Sequence, residues 1–184
     1  MKITDYIKVY DDVIPLEILS SLIQWLNTQK FEQAETLGGL NRNVRRAECL
    51  TLSAKHNFKT NIHWYNYLRN SFICNLENYK STFKNTNVNT YFDMQALKYE
   101  QTGFYNYHVD DCTAIPRQLT FIYLLNNDYE GGELSFSDHT NNEEIGKIEV
   151  QPNRLIIWPS NFLFPHGVKP VTKGKRYSIV AWAR

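Results

Sequence analysis

The segment YNYHVDD, residues 105–111, sets His108 two positions before Asp110. In an extended segment that spacing turns an imidazole and a carboxylate to one side, where both can reach one ion, and leaves Val109 to pack on the other side. Alone the pair carries little weight, because five histidines and 19 acids in 184 residues give roughly 0.5 His-x-acid coincidences by chance. A third donor stands in FPHGVKPV: His166 follows His108 by 58 residues (166 minus 108), directly after the apolar run RLIIWP. Two imidazoles and one carboxylate are the donor set of a facial non-haem Fe(II) site, which leaves positions open for a co-substrate and O2. Arg176, in GKRYSIVAW, begins a run whose alternate residues Arg176, Ser178, Val180 and Trp182 share one face of a strand. An arginine aimed into a β core needs an anion, and a bidentate carboxylate is its best geometric match. A dicarboxylate that also chelates the metal would supply it.

The remaining candidates read more plainly. His56 and His63 belong to helical sequence and His139 to the polar turn SDHTNN, so all three are expected in solvent. Cys49, Cys74 and Cys112 are widely spaced with no CxxC pair, which suits a reducing cytoplasm and excludes a disulfide framework or thiolate zinc site. Cys112, four residues after His108, is expected to pack rather than react. Tyr105 shares a side with the ligand pair and is expected to line a substrate mouth, whereas Trp158 and Trp182 stand in apolar runs and are expected in the core.

These residues must be positioned by a fold that changes texture midway. PLEILSSLIQWLNTQ places Leu16, Leu19, Leu22, Ile23 and Leu26 at helical spacing, with Pro15 in the first turn. A second helix is predicted from Asn61 to about Phe83, with Ile62, Tyr65, Leu68, Phe72, Leu76 and Tyr79 on one stripe. Between them TLGGLNRNVRRAE has the composition of a mobile surface loop. From about Met94 the strand candidates are QALKYE, LTFIYLLN, GELSF, KIEV, RLIIWP and RYSIVAWA, separated by turns such as NNDYEGG and SDHTNNEE. Six or more short strands imply a sandwich or barrel braced by the helices, within one domain spanning residues 1–184. Residues 1–93 supply helical support and a lid, and 94–184 the β core.

Composition narrows the classes further. A net charge of +1, from 20 basic and 19 acidic residues, offers no electrostatic footprint for nucleic acid or an anionic membrane. No stretch approaches the roughly 20 apolar residues that cross a bilayer, and the N-terminus has no apolar core of a signal peptide. A cytoplasmic protein with no nucleic-acid or membrane partner is expected.

The segments YEQTGFYNYHVDD, RQLTFIYLLNNDYEGGELSF and RLIIWPSNFLFPHGVKPVTKGKRYSIVAW, from about Ala96 to Trp182, resemble the 2-oxoglutarate and Fe(II)-dependent oxygenases of the prolyl 4-hydroxylase type. The resemblance implies an α+β chain that is mainly β, with a double-stranded β-helix (jelly-roll, cupin-like) core braced by N-terminal helices. It implies catalytic Fe(II) held by His108, Asp110 and His166. Arg176 and Tyr99 would bind 2-oxoglutarate, and ascorbate would serve as reductant. It also implies hydroxylation of a prolyl residue of a protein or peptide, with succinate and CO2 released, and a lid in which Arg45 or Arg46 contacts that substrate. The chain departs from the pattern at Leu124, where many members carry a tyrosine two residues before the asparagine of the LN turn; Tyr99 or Thr120 must then be considered for its hydrogen bond. Demethylases of nucleic acids on this fold carry a second arginine six residues after the first, where this chain has Trp182. The alternatives are a lysyl residue, free amino acid or other small molecule as substrate and, less in keeping with three ligands and an inward arginine, a non-catalytic jelly-roll binding module.

Overall fold

The structure, a computed structural model, describes residues 2–36, 38–89 and 92–184. Two helices, α1 (Leu16–Asn27) and α2 (Lys59–Thr82), lie in the first half. The strands there are β1 (Lys8–Tyr10), β2 (Glu32–Gln33), β3 (Arg45–Arg46) and β4 (Glu48–Leu52). The second half carries β5 (Phe92–Tyr99), β6 (Phe104–His108), β7 (Leu119–Leu124), β8 (Glu130–Gly131) and β9 (Leu134–Ser137), then β10 (Glu144–Lys147), β11 (Arg154–Pro159), β12 (His166–Val168), β13 (Val171–Lys173) and β14 (Arg176–Ala183).

Antiparallel pairing arranges these as a seven-stranded sheet in the order β1-β11-β7-β14-β5-β4-β2 facing a five-stranded sheet in the order β10-β9-β12-β6-β3. The two sheets form the double-stranded β-helix expected from the sequence. Alternation along β14 divides its side chains between two cores. Ile179, Ala181 and Ala183 join the helices' Leu22, Leu26, Leu68 and Phe72 on the outer face, while Val180 and Trp182 join Leu134, Phe136 and Val168 between the sheets. The molecule is thus three layers: helices, large sheet, small sheet. A tyrosine inside the outer layer finds its partner across the fold: Tyr123 Oη donates to Asn153 Oδ1 at 2.7 Å.

Several expectations are corrected by the fold. Pro15 sits at the N-cap of α1 rather than in its first turn, so Leu16 opens the helix on its outer side and is 65% exposed. Along α2 the buried face takes in Trp64, and Ile62 is only half-buried. The segment expected as a mobile loop contains β3, held to β6 with Arg45 opposite Tyr105 and Arg46 opposite Phe104. The half expected to be helical therefore contributes four strands to the same two sheets. The strand expected at KIEV lies earlier, at Glu144–Lys147, where Glu144 pairs with Ser137 across an irregular register. Among the described residues no helix is long and apolar enough to cross a membrane.

Candidate active site

His108 ends β6 and His166 begins β12, and the two strands pair with these histidines opposite one another. Between His166 and Val168 the partner strand advances three residues, from His108 to Tyr105, instead of two. This bulge places one extra residue in β6 and reverses the phase of its alternation. Tyr105 and His108, three apart in sequence, consequently face the same way and stack with ring centroids 3.6 Å apart. Gly167 is what lets β12 approach that bulge. A Cβ there would lie 2.8 Å from Tyr105 O and 3.2 Å from Tyr107 N, closer than side chains are found to backbone.

Asp110 lies just past the end of β6 and is buried. Its Oδ1 is 3.6 Å from His108 Nε2 and its Oδ2 is 3.3 Å from His166 Nε2. Ligand atoms of all three residues fall within 4.8 Å of one another, a separation that one ion can bridge. Val109, expected to pack on the far side of an extended segment, is instead 39% exposed at the cleft mouth, because the strand has ended and the chain bends at Asp110.

The surroundings prepare these groups for a cation. His108 Nδ1 lies 2.9 Å from Asn106 O and His166 Nδ1 lies 3.1 Å from Phe164 O. Each carbonyl accepts a proton from Nδ1 and so leaves Nε2 with its lone pair directed at the site. Burial pushes the His108 imidazole below its ordinary range, and the neighbouring His166 adds to this against the opposing pull of Asp110. Burial alone would raise the Asp110 carboxyl, but His166 and then His108 hold it well below the usual carboxylate range. The site therefore presents two imidazoles and one carboxylate, a nitrogen and oxygen donor set suited to Fe(II). Thr120 Oγ1 donates to Asp110 Oδ2 at 2.7 Å and is 2.8 Å from Ser160 Oγ, fixing the carboxylate from behind.

A cleft of about 720 Å³ opens over this triangle, lined by Tyr99, Tyr105, Arg45, Arg117 and Trp182 as well as the three ligands. Arg45 is nearly buried, lies 4.7 Å above the Tyr105 ring and donates to Glu35 O at 3.0 Å. Arg46 points the other way, to Thr102 Oγ1 at 3.0 Å, and does not reach the cleft. Alternation within β3 separates the two arginines. Arg117, which no sequence motif singles out, lies 3.7 Å over the Trp182 ring and donates to Asp110 O at 3.3 Å. Arg117 Nε and Trp182 Nε1 are buried without hydrogen-bond partners. Trp182 therefore belongs to the cleft wall as well as to the core. Cys112 is tied to Ile115 by a turn in which Ile115 N donates to its Sγ at 3.3 Å.

Arg176 is fully buried on β14, opposite Tyr99 of β5. Its guanidinium lies 5.1 Å from the Tyr99 ring centre, and Nη1 donates to Ser178 Oγ at 2.8 Å. Nε and Nη2 have no partner. A buried guanidinium with an open fork and no carboxylate beside it is costly to fold around, and the fork matches one end of a dicarboxylate. The three histidines expected in solvent play no part here. His63 and His139 are exposed, whereas His56 is half-buried and accepts from Phe58 N at 3.1 Å just before α2.

Comparison with known proteins agrees with this geometry. Residues 94–184 match the 2OG-Fe(II) oxygenase superfamily. Human prolyl 3-hydroxylase 2 is 35% identical over 78 residues, covering 40% of this chain and 11% of that protein. A PKHD-type hydroxylase of Idiomarina loihiensis is 30% identical over 91 residues, covering 47% of this chain and 39% of its own length. The chain thus spans well under half of these relatives. In fold it is similar to a prolyl hydroxylase from Trichoplax adhaerens in complex with a hypoxia inducible factor peptide fragment, with a TM-score of 0.77 at 19% identity, covering 98% of this chain and 84% of that one. A Pseudomonas putida prolyl-4-hydroxylase superposes with a TM-score of 0.76 at 17% identity, covering 97% of this chain and 92% of the other.

Proposed function

Residues 94–184 place the chain in the 2OG-Fe(II) oxygenase superfamily, and on that premise we propose that it hydroxylates a prolyl residue of a protein or peptide in the cytoplasm, with 2-oxoglutarate converted to succinate and CO2. The observation that carries the reading is a His–Asp–His triangle under a cleft whose wall includes Tyr99, the residue that pairs across the sheet with the buried Arg176 and its unpaired fork. His108 Nε2, Asp110 and His166 Nε2 would hold Fe(II). Arg176 would hold the far carboxylate of 2-oxoglutarate, over the Tyr99 ring. The iron, when bound, supplies the oxygen-activating chemistry and the co-substrate supplies two electrons.

The chain's own residues do the orienting. Thr120 and the two backbone carbonyls keep the ligand atoms aimed inward. The stack of Arg45, Tyr105 and His108 walls one side of the cleft, and the Arg117–Trp182 pair walls the other. Arg117, stacked over the Trp182 ring at the cleft wall, suits the carbonyls that flank a residue within a peptide. The solved prolyl hydroxylase that carries a bound peptide shares the fold, which favours a peptide over a small molecule.

The test is direct. Protein supplied with Fe(II), 2-oxoglutarate, O2 and ascorbate as reductant should add one oxygen to a proline-containing peptide, read by intact mass, with succinate released in equal amount. Arg176→Ala should weaken 2-oxoglutarate binding by at least about tenfold, equivalent to about 1.4 kcal/mol, while sparing metal binding, and Arg176→Lys should be intermediate because it keeps charge and loses the fork. Oxygen transfer to a free amino acid, with none to any peptide, would move the substrate assignment to a small molecule.

A further inference from the structure

The far carboxylate of a bound 2-oxoglutarate needs more than one arginine to satisfy its oxygens, and position 124, where relatives of the prolyl 4-hydroxylase type often carry a tyrosine, is here a buried leucine. Of the residues that could stand in at that point of the fold, Tyr123 and Thr120 are otherwise engaged, and Tyr99 meets the guanidinium through its ring. Tyr123 faces the helices and its hydroxyl is taken by Asn153. Thr120 is committed to Asp110 Oδ2 and Ser160.

Tyr129 stands apart from these. It follows the turn five residues after Leu124, and its Oη is buried with no hydrogen-bond partner. Gly132, with φ +66°, brings it against Arg176. A Cβ at Gly132 would lie 3.1 Å from Arg176 Cδ and 3.2 Å from Tyr129 Cε2, so both side chains close around that glycine. Burial pushes the Tyr129 hydroxyl above its ordinary range, with the Arg176 guanidinium pulling against the rise by its charge and by a hydrogen bond toward the phenol oxygen that is too long to satisfy it; the phenol O–H itself has no acceptor. Arg176 Nη1 is used by Ser178, which leaves Nε and Nη2, one edge of the fork, facing no acceptor. A phenol O–H and a guanidinium edge that face one another and no carboxylate or carbonyl are an arrangement that a folded protein tolerates where a ligand supplies the acceptor.

We propose that Tyr129 completes the carboxylate seat, its hydroxyl donating to the distal carboxylate of 2-oxoglutarate beside the Nε/Nη2 edge of Arg176, in place of the tyrosine lost at position 124. The inference rests on the reading in which Arg176 binds this co-substrate. A phenol reaching in from the loop before β9, rather than from β7, makes the seat depend on the conformation of Gly131 and Gly132, whose φ values are +73° and +66°.

Calorimetric titration of Mn(II)-loaded protein under anaerobic conditions tests this without turnover. Tyr129→Phe keeps the ring and removes only the hydroxyl. It should lower affinity for 2-oxoglutarate about tenfold and leave affinity for oxalate, which chelates the metal but has no distal carboxylate, unchanged. Equal loss for both ligands would assign Tyr129 to general support of the site and overturn the proposal. Wild-type affinity for 2-oxoglutarate in Tyr129→Phe, with the loss confined to Arg176→Ala, would overturn it while leaving the reading of Arg176 intact. Failure of the wild-type protein to bind 2-oxoglutarate at all would instead remove the reading underneath.

Discussion

Thr120 shows how much of the metal site is built by a residue with no catalytic signature. Its hydroxyl is fully buried and spends its proton on Asp110 Oδ2, which keeps the carboxylate from rotating away when no cation holds it. Thr120→Val preserves shape and removes that bond. Groups that orient a metal ligand typically change affinity by about 10–100-fold, so anaerobic titration should show metal binding weakened within that range. Unchanged affinity would mean the carboxylate is held by the two imidazoles alone. His139→Ala, at an exposed position 6.1 Å from the Phe162 ring, should change nothing and serves as the control. His108, Asp110, His166 and Arg176 were legible in the sequence because their side chains name their chemistry. Thr120 was legible only as a candidate for a co-substrate hydrogen bond and instead holds Asp110, and Arg117 and Tyr129 were not legible, because a strand threonine, a loop arginine and a turn tyrosine take their contacts from what folding sets beside them.

Two strand junctions at the scale of elements invite tests. Gly167→Ala would set a methyl 2.8 Å from Tyr105 O and 3.3 Å from Asn106 C, both backbone atoms that cannot rotate aside. The strand carrying His166 must then move off the β6 bulge. A cost of about 1–3 kcal/mol is expected from overpacking, read as a lower urea midpoint, together with weaker metal binding. A midpoint equal to wild type would show that β12 has room to spare. The other junction joins β1 to β11 through Arg154, whose Nε and Nη2 donate to Asp11 at 2.7 and 3.0 Å. The Arg154 hydrogen bond holds the Asp11 carboxyl below its ordinary range. Stability from this pair is present above the unfolded carboxyl value of about 3.9 and is lost as pH falls through the lower folded value. Asp11→Asn should accordingly be less stable than wild type at pH 6, with the gap closing toward pH 2–3. A gap independent of pH would assign the effect to packing.

For the whole molecule, the two sheets and the site stand or fall together, since the ligands come from β6, the bend after it and β12 of the small sheet, while Thr120 of β7 in the large sheet holds Asp110. A divalent ion that binds only the folded state adds about 2.7 kcal/mol at a concentration 100 times its Kd. For a domain of this length that corresponds to a rise of about 5–10 °C in melting temperature. Mn(II) should produce such a shift in wild type and none in Asp110→Ala. An equal shift in both would place the binding ion elsewhere.

The sequence by itself determined the chemistry and the large elements. Periodicity in LTFIYL, RLIIWP and RYSIVAWA located β7, β11 and β14, because a strand with two apolar faces leaves a dense β-branched and aromatic run. The alternation along RYSIVAWA also set Arg176 inward, where it is fully buried. Only the tertiary structure decided the rest. The strands Glu32–Gln33 and Arg45–Arg46 are two residues long and polar; they exist as strands because a sheet edge offers hydrogen bonds, which no local pattern records. Tyr105 does share a side with His108 as expected, but not through alternation, since residues three apart on a regular strand face opposite sides. The bulge that brings them together is a fact about the partner strand, and it becomes visible only when β12, with Gly167, lies alongside.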